Sequence, residues 1–115
     1  MEFMLILIHD REPRAEDASI FAEMGQFAGG LAQQGVLRGG SPLHPEVEGA
    51  RIRVDGGAVK VTDGPFTETK EIIGGYFVLD CSSREEAIEI AKKCPYGKVG
   101  TVEVRQVLPV GGPPA

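Results

Sequence analysis

A change in hydrophobic period near the start of the chain constrains the fold most strongly. Residues 3–8 form a continuous apolar run, which is typical of a strand that is buried on both faces. Residues 15–34 then follow helical spacing, with an apolar stripe at Ile20, Met24, Phe27 and Leu31. The pattern therefore predicts a buried strand followed by an amphipathic helix.

The second half of the chain repeats this strand–helix order and adds a final strand. Residues 72–81 are predicted to form a central strand. Residues 101–107 alternate between apolar and polar side chains, which is typical of a half-buried strand. Between them a helix is predicted to end at Pro95. Two overlapping Ser-x-x-Glu capping boxes mark its start, at Ser82, Ser83, Glu85 and Glu86.

A hairpin is predicted between the two halves. Residues 50–54 and 58–62 alternate in polarity and flank an Asp-Gly-Gly turn, whereas residues 36–45 could be a short strand or a loop. The resulting order predicts an α+β fold with the ferredoxin-like split β-α-β plan and an inserted β-hairpin. We expect one domain over residues 1–108 and a flexible tail over residues 109–115.

The predicted layers leave one face of the sheet without cover. Two helices can cover only one face, yet the first strand is apolar throughout. A second copy of the sheet is the simplest cover, so the sequence predicts a symmetric homodimer with facing sheets.

Composition narrows the classes of partner and compartment. The net charge is −5 and the cations are scattered, which argues against a nucleic-acid partner. No run approaches the ~20 apolar residues that cross a bilayer, and the first residues do not resemble a secretion signal. The two cysteines lack metal-ligand or disulfide spacing, and no nucleotide-binding motif is present. We therefore expect a cytoplasmic protein with no metal, no cofactor and no membrane partner.

Two residues are the candidates for acid–base catalysis. Asp63 opens an Asp-Gly-Pro turn, where it could act as a general base or accept backbone N–H groups as a turn residue. His44 lies on a loop, where it could be the partner of Asp63 or a solvated histidine. His9 ends the first strand and is predicted to be a paired core or interface histidine.

Four residues near that turn are candidates for substrate binding. Glu68 could share a proton with Asp63, and Lys70 could bind a carboxylate or phosphate, although both could belong to a solvated segment. Phe66 could stack on a substrate or anchor the turn in the core. Tyr76 could direct its hydroxyl into the same cavity or pack within the sheet.

The residues around this turn also carry a family resemblance. Asp-Gly-Pro-Phe-Thr-Glu-Thr-Lys-Glu at 63–71, followed by Gly-Gly-Tyr-Phe at 74–77, resembles the signature of the DGPF branch of the YCII-related proteins. The apolar opening, Gly-Val-Leu at 35–37 and Gly-Thr-Val-Glu-Val-Arg at 100–105 fit as well. The resemblance covers nearly the whole chain and implies a dimeric α+β barrel.

The same resemblance has consequences for function. The YciI-like members carry a His–Asp pair proposed to be catalytic, and its aspartate matches Asp63. Their histidine lies on the first helix, where this chain has none. DGPF members are often found with extracytoplasmic-function sigma factors, which implies a regulatory or accessory role.

Three functions follow from the sequence as alternatives. The chain could be a cofactor-independent enzyme performing acid–base chemistry on a small carbonyl-type molecule, with Asp63 as base. It could instead be a non-catalytic ligand-binding or regulatory module, or a purely structural dimer.

Overall fold

A computed structural model of the protein describes residues 1–10, 17–44, 48–66 and 71–112. The elements follow one another in the predicted order, and the open segment 36–45 contributes a strand. They are β1 (Glu2–His9), α1 (Ser19–Gln33), β2 (Leu37–Pro42), β3 (Ala50–Asp55), β4 (Ala58–Asp63), β5 (Ile72–Asp80), α2 (Arg84–Lys92), a 3-10 helix (Pro95–Lys98) and β6 (Thr101–Gln106).

Four of the strands form one antiparallel sheet in the order β2-β5-β1-β6. β1 lies between β5 and β6, so that Leu5 is paired with Phe77 on one side and Val104 on the other. This topology confirms the predicted ferredoxin-like fold with an inserted hairpin. The division of the chain at residue 108 stays a prediction.

The core lies between the helices and one face of the sheet. Alternate residues of β1 point to this face, and Phe3 and Leu5 are 1% and 0% exposed. They pack with Leu79 of β5, Leu31 of α1 and Ala87 of α2. Met4, Ile6 and Ile8 point to the other face and are only half-buried, because the helices cover one face of the sheet within a protomer.

The predicted capping box sets the start of α2. Ser83 is the N-cap, and its hydroxyl accepts a hydrogen bond of 3.1 Å from the backbone N–H of Glu86. The Glu86 carboxylate reaches back to Ser82, whose backbone N–H and hydroxyl both donate to it. The box therefore satisfies a helix-terminal N–H that would otherwise lack a partner.

The inserted hairpin forms its own two-stranded sheet from β3 and β4. Its turn has Gly56 and Gly57 at φ angles of 57° and 84°, values that favour glycine. Every residue of both strands is exposed, including the apolar ones. In the part of the chain that is described, no helix is long and apolar enough to cross a membrane.

Candidate active site

A cavity of about 320 Å³ lies between α1, the sheet and the 3-10 helix. Most of its wall is apolar, and polar groups occur at a few positions. The wall is formed by Leu7, His9, Asp17, Ile20, Phe21, Met24, Gly25, Ala28, Gly40, Ser41, Pro42, Gly74, Tyr76, Phe77, Tyr96 and Val99. A concave, mainly apolar site with a few polar groups is the usual form of a small-molecule site.

His9 and Tyr96 form one polar end of this cavity. His9 is only 8% exposed, and its ring centroid lies 6.4 Å from that of Tyr96 at an angle of 59°. Both rings approach the backbone of β5 at Gly74. A Cβ atom at this position would lie 2.9 Å from the Tyr96 hydroxyl and 3.0 Å from His9 Cδ2. The glycine therefore leaves room for the two side chains to converge.

Strand periodicity brings His9 into the cavity. It follows Phe3, Leu5 and Leu7 at every second position of β1, so its ring lies on the helix-covered face. An imidazole ring has one nitrogen that can accept a proton and one that can donate a proton, which is the chemistry that a general acid–base group uses.

The 3-10 helix places Tyr96 opposite α1. Cys94, which precedes this helix, is buried, and its thiol lies 3.8 Å from the Met24 sulfur. On the outside, Lys98 Nζ lies 2.6 Å from Glu23 Oε1 and links the 3-10 helix to α1. Because this ion pair is exposed, it stabilises the wall by at most about 1 kcal/mol. Buried packing therefore fixes Tyr96 more than the surface charges do.

The two predicted catalytic residues lie apart from the cavity. Asp63 ends β4 opposite Ala50 and is exposed, and His44 is exposed just after β2. As far as the described residues define the cavity wall, it includes neither side chain. The Gly64 N–H closes the turn after Asp63 by donating to the Gly49 carbonyl at 2.8 Å.

The predicted substrate-binding residues are also separated. The Arg51 guanidinium lies 3.9 Å from the centroid of the half-buried Phe66 ring, which ties the segment after β4 to β3. Tyr76 contributes to the cavity wall. It is paired with Ile6, so its side chain lies on the sheet face that points away from the helices, whereas Phe77 lies on the helix-covered face. Glu68 and Lys70 lie outside the described residues.

Sequence reasoning did not propose His9, Asp17 or Tyr96 as site residues. For His9 a signal was available, because a polar residue in the buried register of an apolar strand is uncommon. Its burial agrees with the prediction of a core histidine. Tyr96 follows a helix-ending proline, and nothing in the local pattern indicates that its ring meets β1.

Cys81 and Cys94 are both buried, and neither is among the described residues that line the cavity. Burial raises the pKa of the Cys81 and Cys94 thiols, so both are held in the protonated, weakly nucleophilic form. Within the described ranges, no three His, Cys, Asp or Glu side chains are grouped as metal ligands.

Comparison with known proteins identifies the family. The family model of the YCII-related domain matches residues 1–111. The chain belongs to the YCII-related family. This YCII-related protein is 31% identical over 94 residues to an uncharacterized protein of Rhizobium meliloti, a match that covers 80% of this chain and 76% of that relative.

A solved structure with the same fold is a 5-chloro-2-hydroxyhydroquinone dehydrochlorinase from Burkholderia phenoliruptrix in complex with 2,5-dihydroxybenzoquinone. It superposes with a TM-score of 0.57, covers 93% of each chain and is 15% identical. At this identity the likeness shows the fold alone.

Proposed function

We propose that this protein binds a small, largely apolar molecule in the cavity and transfers protons to and from it without a cofactor. The observation that carries the proposal is the convergence of His9 and Tyr96 at one end of an apolar cavity. A volume of about 320 Å³ is near the lower end of the range for ligand sites, which suits a molecule of about one ring.

The two polar side chains suggest a division of roles. The His9 imidazole would take a proton from a carbon or hydroxyl next to a carbonyl group, and would later return it. The Tyr96 hydroxyl would donate a hydrogen bond to the carbonyl oxygen as that oxygen becomes negative. The apolar wall would strengthen this interaction, because fewer water molecules compete for the charge.

The structural neighbour suggests a probe for this site. That protein is a dehydrochlorinase bound to a dihydroxybenzoquinone, a flat ring with oxygen substituents. A ring of this kind matches the size and the mixed lining of the cavity. We therefore propose 2,5-dihydroxybenzoquinone as a first test compound.

The two histidines of the chain provide a matched pair for the experiment. His9→Gln alters the buried ring, whereas His44→Gln alters the exposed ring outside the cavity. We expect the probe to shift the imidazole NMR signals of His9 and not those of His44. We also expect His9→Gln to slow deuterium incorporation at the ring carbon of the probe in D2O, with His44→Gln equal to wild type.

Thermal denaturation of both variants provides the control for folding. Equal rates of deuterium incorporation in His9→Gln and His44→Gln, with both proteins folded, would contradict the role of His9. Binding without any catalysed exchange in wild type would favour the second candidate, a non-catalytic ligand-binding or regulatory module. The cavity supports this alternative because a sensor needs the same apolar enclosure.

Asp63 remains a proposal for a separate exposed site, with His44 as its partner. Asp63→Asn should abolish exchange if Asp63 is the base, and should leave exchange unchanged if His9 is the base. If Asp63 is only a turn residue, the substitution should cost about 1 kcal/mol of stability for one hydrogen bond.

We also propose that the protein acts as a homodimer in the cytoplasm. The support for a dimer is the sheet face away from the helices, where Met4, Ile6 and Ile8 are only half-buried. The buried free thiols of Cys81 and Cys94 are compatible with a reducing compartment.

A further inference from the structure

The β3–β4 hairpin carries an apolar face that stays exposed among the residues the structure describes. Its register pairs Ile52 with Val61 and Val54 with Val59, so these four side chains share one face. We call them the arm face, and they are 67%, 63%, 70% and 66% exposed in that order. The opposite face carries the cations Arg51, Arg53 and Lys60.

An uncovered hairpin of this kind needs a packing partner. A two-stranded hairpin is marginally stable in water unless it packs on another element. The Lys60–Asp55 ion pair of 3.2 Å is well exposed, so it contributes little to holding the strands together. The Cα radius of gyration is 16.1 Å, whereas a compact chain of this length has a radius of roughly 13 Å. Because every residue of β3 and β4 is exposed, the hairpin is described as an arm of the domain.

We infer that the arm face packs against a second copy of this chain. The protomer has another β surface that α1 and α2 do not cover, the sheet face on which Met4, Ile6 and Ile8 are only half-buried. A single two-fold axis can bury the arm face and this sheet face together. Burial by an unrelated protein would leave one of the two surfaces exposed or would require a second partner.

The areas involved agree with a dimer. A Val or Ile side chain offers about 60–120 Å² of apolar surface, so two arm faces that are two-thirds exposed offer about 300–600 Å². A stable interface buries about 1,600 Å², of which about 900 Å² is apolar. The two arms would supply about one-third to two-thirds of that apolar area. The sheet faces would supply the rest.

The inferred contact also affects Asp63, the residue that the sequence predicts as a general base. Asp63 follows Val59 and Val61 at alternate positions of β4, so its side chain lies on the arm face at the base of the hairpin. Packing of the arm would therefore bring Asp63 towards the partner subunit.

Neighbouring positions on β4 provide a matched test. Val61→Lys places a charge on the arm face, and Thr62→Lys places the same charge on the opposite, exposed face. We expect sedimentation equilibrium to show a dimer for wild type and for Thr62→Lys. We expect the dimer dissociation constant of Val61→Lys to rise at least tenfold.

A measurement on the unmodified chain guards against variants that fail to fold. Amide hydrogen exchange of residues 50–63 in wild type should become slower as protein concentration rises from about 1 to 100 μM. Two results would overturn the inference. One is a monomeric wild type at 100 μM, and the other is equal dimer stability in Val61→Lys and Thr62→Lys.

A third variant separates the arm from the dimer itself. Ile6→Lys alters the sheet face and leaves the arm face intact. If Ile6→Lys dissociates the dimer while Val61→Lys behaves like Thr62→Lys, the homodimer stands and the arm contact is wrong. If both Ile6→Lys and Val61→Lys dissociate it, both surfaces belong to one interface.

Discussion

Replacing Gly74 with alanine should move the two rings at the polar end of the cavity. The new methyl group would lie 2.9 Å from the Tyr96 hydroxyl and 3.0 Å from His9 Cδ2. Carbon atoms prefer separations of about 3.5–4.0 Å from such neighbours, so the rings must shift by about half an ångström. The backbone of Gly74 does not have a positive φ angle, so the strain comes from these contacts alone.

The expected energy follows from two opposing effects. Alanine in a compatible backbone position stabilises a protein by about 0.4–1 kcal/mol, because the unfolded chain loses freedom. Overpacking costs about 1–3 kcal/mol. The lower end applies here, because the Tyr96 hydroxyl is the far end of a side chain that can move. Gly74→Ala should therefore be close to wild type in stability.

Gly39→Ala is the matched control on the neighbouring strand β2. Apart from Gly39 and its two chain neighbours, no described residue has an atom within 4 Å of a Cβ at this position, and Gly39 too has no positive φ angle. The control should keep the entropic gain without the overpacking cost. Gly39→Ala should thus be more stable than Gly74→Ala by about 1 kcal/mol, or roughly 3–6 °C in Tm for a domain of this size.

Urea denaturation would measure this difference in stability, and NMR would show directly whether the rings have moved. We expect the ring signals of His9 and Tyr96 to move in Gly74→Ala and to stay in place in Gly39→Ala. The deuterium exchange of the probe should slow with the ring shift, because a displacement of this order disturbs catalytic geometry. Equal stability of the two variants, with unchanged ring signals in both, would refute the inferred convergence of His9 and Tyr96 at Gly74.

Three further predictions concern the fold. Leu79→Ala removes a fully buried side chain and should destabilise the protein by about 2–5 kcal/mol in urea denaturation, and a loss below 1 kcal/mol would contradict its place in the core. Ser83→Ala removes the N-cap of α2 and should cost about 1 kcal/mol, with faster amide exchange in the first turn as the second measurement. The hydrogen bonds from Ser82 lower the pKa of the Glu86 carboxyl below its ordinary value. Because this pKa is lower in the folded state, the stabilisation is present above about pH 4 and is lost as pH falls through the folded pKa. Glu86→Gln should flatten the acid side of the stability–pH curve, and an unchanged curve would argue against the Glu86–Ser82 contact.

The elements were largely predictable because each depends on local patterns. The period change between β1 and α1 and the Asp-Gly-Gly turn are properties of short segments. The capping box was also predictable from the sequence, although the Glu86 carboxylate accepts from Ser82 rather than from the N-cap residue Ser83. Residues 36–45 were ambiguous because their glycines weaken any strand signal. The edge strand β2 forms there by pairing with β5.

The candidate site was less predictable because it joins residues far apart in sequence. The Asp-Gly-Pro turn is conspicuous locally, yet Asp63 is exposed at the base of the hairpin. His9 and Tyr96 are separated by most of the chain and meet through the approach of β1 to the 3-10 helix. No local pattern specifies such an approach.

The amino-acid order by itself determined the strands, the helices, the hairpin and the ferredoxin-like plan, because hydrophobic periodicity and turn chemistry act over a few residues. Only the tertiary structure decided which polar groups share a cavity, since that depends on packing between distant segments. It also decided that the arm face stays exposed among the described residues of one protomer. Local alternation makes a face apolar, but only the packed structure shows what lies against it.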